Sequence, residues 1–308
     1  MDDNGDISTI RFPAKSELEV SSIDRYENQF AGFLNKSPSN NILFPARQSL
    51  LAGYFTRIAL TEVQLKWRTP NINIYNDIFS YLSLQPTGLQ SFTIQLETDF
   101  YTPTQLINRV VALMNIAEPT LAPGSPTYIG SYTPSLGGFI TKNPLAGRGT
   151  LFSIVLGNPT LAPDTNGARA QKFLQTCGTD PLNVIALNNT QQLLERFADV
   201  AYTRYVDIVS EALGKYSRVK DNMTRQREGR TNVLARIFLV PFGQKETFPY
   251  STPFTLAVDY NTPKYLRWNP GEYINDFDLS LYDMYGNLLF WDEEYSTEYE
   301  LNIQASET

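Results

Sequence analysis

The chain has no histidine and a single cysteine, Cys177, in 308 residues. Without imidazole there is no Ser-His-Asp triad, no Cys-His dyad and no His-ligated metal. One thiol excludes an internal disulfide and a cysteine-rich zinc knuckle. Positive charge is also scarce: 25 Lys and Arg face 32 Asp and Glu, a net charge of -7. Such a surface repels polyphosphate, so direct nucleic-acid binding is not expected beyond a local basic patch. No apolar run is long enough for a membrane helix, so no membrane insertion is expected. Met1-Asp2-Asp3-Asn4-Gly5-Asp6 is acidic where a signal peptide carries a basic flank, and no secretory leader is expected.

What the chain has is aromatic and apolar residues in short runs, with 18 Tyr, 18 Phe and 42% hydrophobic positions. That is ample for a sheet-rich core. Val63, Leu65 and Trp67 alternate with polar residues, as do Phe92, Ile94 and Leu96, and Ile72 with Ile74. Period two places each set on one face of a strand. Val233 to Val240, Phe254 to Val258, Phe277/Leu279/Leu281 and Tyr299/Leu301/Ile303 extend the pattern, with Tyr285-Gly286-Asn287 as a turn.

Helices are few. Thr102, Pro103 and Gln105 form a complete capping signature ahead of Leu106, Val110, Leu113 and Met114, and Glu118-Pro119 ends that helix. Ala168–Thr176 reads as a short helix. A longer one is expected from Asn189 or Thr190 to Leu213, on the stripe Leu193, Phe197, Val200, Tyr205, Ile208 and Ala212. The expected organisation is an extended N-terminal arm over 1–45 and a β domain over 46–308, with a loop- and helix-rich insertion at about 157–230. The fold class is an all-β antiparallel sandwich with inserted helices. Its late matched strands suit a Greek-key or jelly-roll topology.

Motifs for chemistry are weak. Gly147-Arg148-Gly149 stops short of every phosphate-binding loop, and Asp164-Thr165-Asn166-Gly167 is an Asx-type turn. Asp292, Glu293, Glu294, Glu298 and Glu300 could pair as a glycosidase acid and base or hold calcium. A solvated strand edge accounts for them more simply. The one basic concentration is Lys215, Arg218, Lys220, Arg225, Arg227 and Arg230. It reads either as cations at a helix end or as a patch facing acidic partner chains or packaged nucleic acid. No catalytic, cofactor-binding or metal-binding residue is assigned, and Cys177 is expected to be buried and inert.

Three stretches resemble the penton (vertex) capsid proteins of polinton-like viruses and virophages. They are Trp67-Arg68-Thr69-Pro70-Asn71-Ile72-Asn73-Ile74-Tyr75-Asn76, then Phe92–Leu96 running through Phe100-Tyr101-Thr102 into the helix Gln105–Asn115, and finally Phe277–Asp283 with Tyr285-Gly286-Asn287 and Tyr299–Gln304. Together they span about half the chain. The resemblance implies a single jelly roll in a structural, non-enzymatic virion protein. Its implied partners are four copies of itself in a vertex homopentamer, the major capsid protein and other minor capsid proteins. It would be made in the host cytoplasm, with no cofactor. Another minor capsid protein, or a receptor- or glycan-binding β-sandwich of the virion, is the alternative.

Overall fold

The computed structural model describes residues 15–22, 41–45, 55–119, 126–133, 137–143, 151–155, 165–177, 191–194, 200–216, 232–239, 252–270, 272, 276–289 and 297–307. The chain opens with three strands, β1 (Lys15–Ser21), β2 (Asn41–Pro45) and β3 (Arg57–Trp67). A middle group follows: β4 (Ile78–Gln85), β5 (Gly88–Gln95), α1 (Pro103–Ala117), β6 (Tyr128–Thr133), β7 (Gly137–Lys142), β8 (Phe152–Val155), α2 (Thr165–Thr176) and β9 (Gln191–Leu194). The last group is β10 (Tyr205–Val209), the short α3 (Glu211–Gly214), β11 (Val233–Phe238), β12 (Phe254–Asp259), β13 (Tyr265–Arg267), β14 (Asp276–Asp283) and β15 (Glu298–Ser306).

The first and last groups build two facing sheets, in the orders β1-β15-β3-β12 and β11-β10-β14-β2, with β13 beside β3. Taken in chain order, these eight main strands pair first with eighth, second with seventh, third with sixth and fourth with fifth. The pairs are β1 with β15, β2 with β14, β3 with β12 and β10 with β11, all antiparallel. A hairpin rolled up in this way is a jelly roll, the all-β topology the sequence pattern suits. Period two then sorts the side chains. Val63, Leu65 and Trp67 of β3 point inward with Tyr299, Leu301 and Ile303 of β15. They meet Val206 and Ile208 of β10 and Leu279 and Leu281 of β14 from the other sheet. Each such buried aliphatic contributes about 1.5–3 kcal/mol.

Between the third and fourth of these strands the chain leaves the sandwich and builds a second core. Sheets β5-β4-β8 and β6-β7-β9 enclose it with α1 and α2. Phe79, Tyr81, Leu106, Val110, Met114, Tyr128, Ile140, Phe152 and Phe173 fill it. Tyr81 stacks on Phe92, and Phe79 meets Phe173 edge to face. α1 starts as expected: the Thr102 side chain accepts from the Gln105 N–H, and the Gln105 side chain reaches back to the Thr102 N–H. It lies so close to β6 that a Cβ at Gly130 would come within 2.8 Å of a Val111 methyl.

Three expectations are corrected. The long helix from Asn189 or Thr190 to Leu213 is not present in the described residues. Gln191–Leu194 is strand β9, Tyr205–Val209 is the inner strand β10, and only Glu211–Gly214 is helical. β10 is buried on both faces, so its unbroken apolar run imitates a helical stripe, while its β-branched residues favour the strand. Second, the excursion from the sandwich lies between Trp67 and Tyr205 rather than over 157–230, and 205–216 belongs to the sandwich. Third, Ile72 and Ile74 lie in a turn, with Ile72 making a lone bridge to Asp99 and Ile74 half exposed. Within 1–45, the segment expected as an arm, β1 and β2 are strands of the chain's own two sheets.

Candidate functional site

Asparagine is a poor strand former because its short amide competes for neighbouring backbone groups. Three of them, Asn71, Asn73 and Asn76, line the turn by which the chain enters the insert, and all three are buried. Asn73 Oδ1 accepts from the Tyr75 N–H at 3.0 Å, and Asn76 Oδ1 from the Asn73 N–H at 2.8 Å. Asn71 ties entry to exit. Its Nδ2 donates to the Tyr101 carbonyl at 2.7 Å and to the Val200 carbonyl at 3.1 Å, while its Oδ1 accepts from the Tyr101 N–H at 2.9 Å. The two chain crossings therefore lie side by side. Asn76 Nδ2 reaches Thr176 on α2 at 2.8 Å, and Arg169 of α2 forks onto Asp77 at 2.7 and 2.5 Å.

Next to the crossing, Tyr75 stacks on Tyr202 with ring centroids 6.3 Å apart and donates to the Leu288 carbonyl at 3.2 Å. The Lys172 ammonium of α2 sits over two rings, Tyr75 at 5.2 Å and Tyr285 at 5.3 Å. Below them is Asp283, 1% exposed, which accepts from Tyr202 Oη at 2.5 Å, from the Tyr285 N–H at 2.9 Å and from Asn287. Burial, then the Asp283 charge, pushes the Tyr202 hydroxyl well above its ordinary range. Burial lowers the Lys172 ammonium, and Asp283 opposes that shift. The cluster is a half-buried cation in a two-tyrosine cage above a carboxylate, with the cation supplied by the insert and the carboxylate by the sandwich.

A second polar cluster lies inside the insert. The side chains of Glu118, which follows α1, and Lys142 on β7 are both fully covered, with Nζ 3.0 Å from Oε1. Lys142 also donates to Ser83 Oγ at 2.5 Å and to the Leu84 carbonyl at 3.2 Å, and Tyr128 Oη donates to Glu118 Oε2 at 2.7 Å. The pair thus joins both sheets of the insert and α1. Burial raises the Glu118 carboxyl, but hydrogen bonds from Tyr128, Lys142, Ser83 and Gln85 outweigh it and hold it below its ordinary value. Tyr81, whose hydroxyl pKa is pushed up by burial and then by Glu118, completes the surroundings.

Of the basic concentration, only Lys215 lies among the described residues. Arg218, Lys220, Arg225, Arg227 and Arg230 are outside them. Lys215 is not a free cation: it bonds to Glu272, which also takes the Tyr216 hydroxyl, and it lies 5.0 Å above both the Tyr216 and Trp268 rings. The Glu272 bond raises its pKa. Among the carboxylates, Asp292–Glu294 are outside the described residues. Glu298 faces Lys66 and Arg68, each at 3.5 Å, and Glu300 lies 4.0 Å from Lys66. These are cross-strand pairs on the outer face of β3 and β15, two interior strands of the order β1-β15-β3-β12, so the expected strand edge is corrected to a solvated sheet face. No group of three or more His, Cys, Asp or Glu among the described residues could hold a metal. Cys177 is fully buried, and burial pushes its thiol well up. Gly147-Arg148-Gly149 lies outside the described residues, and Thr165–Gly167 open α2. Sequence reasoning missed the Lys172 cage and the Glu118–Lys142 pair. The turn-forming asparagines signal the crossing, but nothing local signals partners more than a hundred residues away.

No protein-family model matches the chain, and no curated protein matches it in sequence. Solved structures do. The crystal structure of the mavirus penton protein superposes at a TM-score of 0.51 with 12% identity, over 95% of this chain and 99% of that one. The cryo-EM structure of the Sputnik virophage includes a chain at 9% identity and a TM-score of 0.43, covering 96% and 98% respectively. At such identity the first likeness concerns the fold alone: from end to end, this chain is built like a virophage penton protein.

Proposed function

We propose that this chain, sharing its whole architecture with a virophage penton protein, is a structural protein of a virion. In this reading it acts as a vertex subunit, five copies closing each fivefold position of an icosahedral shell beside the major capsid protein. The observation that carries the proposal is the jelly-roll pairing, with a large insert between its third and fourth strands, matched over 95% of the chain to the mavirus penton protein. A ring of five repeats one heterologous contact, which needs two different patches on each subunit. A sandwich with two unlike outer faces offers them. One carries Lys66, Glu298 and Glu300 on β3 and β15; the other sheet exposes Phe238 at the end of β11. The role asks for geometry and no bond-making, in keeping with a chain that lacks histidine.

Electron microscopy of the purified chain, alone and mixed with its major capsid protein, tests this. Rings of fivefold symmetry, or density for this chain at shell vertices, are the expected result. A monomer that never enters shells, or a ring of another order, would overturn it.

A further inference from the structure

The outer face of the sheet β1-β15-β3-β12 carries charges in two matched rows, because residues opposite one another on neighbouring strands share a face. In the first row Lys15 on β1 lies opposite Ser306 on β15, Ser306 opposite Arg57 on β3, and Arg57 opposite Arg267 on β13. In the second, Glu19 lies opposite Asn302, Asn302 opposite Glu62, and Glu62 opposite Asp259 on β12. Three cations and three carboxylates thus take the same places across the sheet, with a neutral residue on β15 in each row. Glu62 is half-buried and the other five are exposed. Among the described residues none of the six is ion-paired, and Glu62 takes only the Gln64 amide, at 3.2 Å. Like charges set opposite each other destabilise a sheet. The rows cannot relieve each other within one copy, since four residues of strand hold them about 13 Å apart. Between them runs a middle row of Glu17, Gln304, Ala59 and Tyr265. Tyr265 is 49% exposed, with the Arg57 guanidinium 5.5 Å from its ring centroid.

We infer that this face docks on the same face of a second copy of the chain. A twofold axis running across the strands through the middle row turns the cation row of each copy onto the carboxylate row of the other. Lys15 then meets Glu19 of the second copy, Arg57 meets Glu62 and Arg267 meets Asp259, and each pair is made twice. Tyr265 meets its own counterpart at the axis and supplies an aromatic centre. Glu17 also meets its counterpart there, a repulsion that Lys15 of both copies, one row away, offsets. Three rows on four strands overlap over about 20 by 20 Å, roughly 400 Å² from each copy, which is the size of a weak, transient contact. Lys66, Glu298 and Glu300 lie beyond the carboxylate row and stay outside the overlap, so a fivefold contact through them is not obstructed. The inference rests on one sheet face and does not depend on the fivefold reading.

The test is analytical ultracentrifugation of the full chain, from micromolar to millimolar concentration, at about 50 mM and about 500 mM salt. The expected result is a reversible doubling of mass at low salt that weakens about tenfold or more at high salt. Arg57→Glu and Glu62→Arg should each weaken self-association about tenfold or more, since each sets two like-charge pairs in the contact. Mixing these two variants should restore it, because every residue 57 then faces a residue 62 of opposite sign. The double variant Arg57→Glu with Glu62→Arg should restore it alone. A folding defect would not be cured by mixing. If Arg57→Glu does not fold, Lys15→Glu and Glu19→Lys put the same question to the edge strand β1. No doubling at millimolar concentration, doubling that ignores salt, or a mixture no stronger than its parts overturns the inference. Where five subunits close a ring first, the contact joins two rings and the assembly holds about ten chains. A ring of five that never doubles sinks this contact and leaves the fivefold reading standing, whereas pairs without rings do the reverse.

Discussion

Replacing Lys142 with methionine isolates the cost of a buried charge. The substitution keeps the volume of the stem but leaves Glu118 without its cation at a site where neither side chain meets water. Tyr128 Oη at 2.7 Å remains as a donor, while the 3.0 Å contact to Nζ disappears. Removing one partner of such a pair costs about 3–5 kcal/mol, because the remaining ion stays dehydrated. Two further acceptors, Ser83 Oγ and the Leu84 carbonyl, also lose their donor, so the upper half of that range is expected. The double replacement Lys142→Met with Glu118→Leu should be far milder, near neutral, since no charge is then stranded. The assay is urea unfolding with residue-resolved hydrogen exchange, which separates the insert from the sandwich. The loss should appear in α1, β4, β6 and β7 and leave β3 and β15 unchanged. A cost below about 1 kcal/mol for Lys142→Met would refute the reasoning, as would a double variant no better than the single one. Acid should act on the same pair. The Glu118 carboxyl is depressed in the folded chain, so its contribution is complete above the ordinary carboxylate range and fades only as pH falls through the lowered value. The insert should therefore withstand mildly acidic buffer and loosen only below about pH 4.

Thr102→Ala removes the acceptor that holds the Gln105 N–H and should cost about 1 kcal/mol, read as a lower urea midpoint, with Thr102→Ser restoring most of it. Gly130→Ala puts a Cβ 2.8 Å from a Val111 methyl and 2.9 Å from an Ile107 methyl. Overpacking of that kind costs about 1–3 kcal/mol, and Gly130→Ala with Val111→Ala should recover only part of it, since the Ile107 methyl still meets the new Cβ. Cys177 should resist maleimide in the folded chain and react once urea exposes it, because its thiol is buried and its pKa is pushed well up. Fast labelling of native protein would contradict that placement.

Some of this molecule could be read directly from its residues. The start of α1 is local chemistry, three side chains within four positions, and it forms as expected. The alternating runs of β3, β14 and β15 sort inward and outward as their period dictates. β10 could not be read in that way. A strand covered on both faces has no alternation to display, and Val200, Tyr205, Ile208 and Ala212 fall by chance at helical intervals. The β-branched trio Val206, Ile208 and Val209 was the available signal. Partnerships across the chain were not legible at all. Lys215 looked like part of an exposed basic run, yet it is held by Glu272, 57 residues away. Lys172, Tyr285 and Asp283 come together only because the fold brings α2 to the β14 turn.

The pairing of β1 with β15, Lys15 opposite Ser306, has a consequence for how the protein is made. On a translating ribosome β3 emerges early, with Val63, Leu65 and Trp67 ready for burial, but both of its sheet neighbours are encoded far downstream. The insert suffers no such delay, since every strand and helix that fills its core is finished before Tyr202 is added. Synthesis thus delivers a completed insert on a nascent chain whose first sheet is still an unpaired apolar edge. That edge waits for β12 and β15, and closure comes only when the last strand leaves the exit tunnel. Slow translation beyond residue 260 would prolong that exposure, and a chain stalled there would be prone to aggregate through β3, not through the insert.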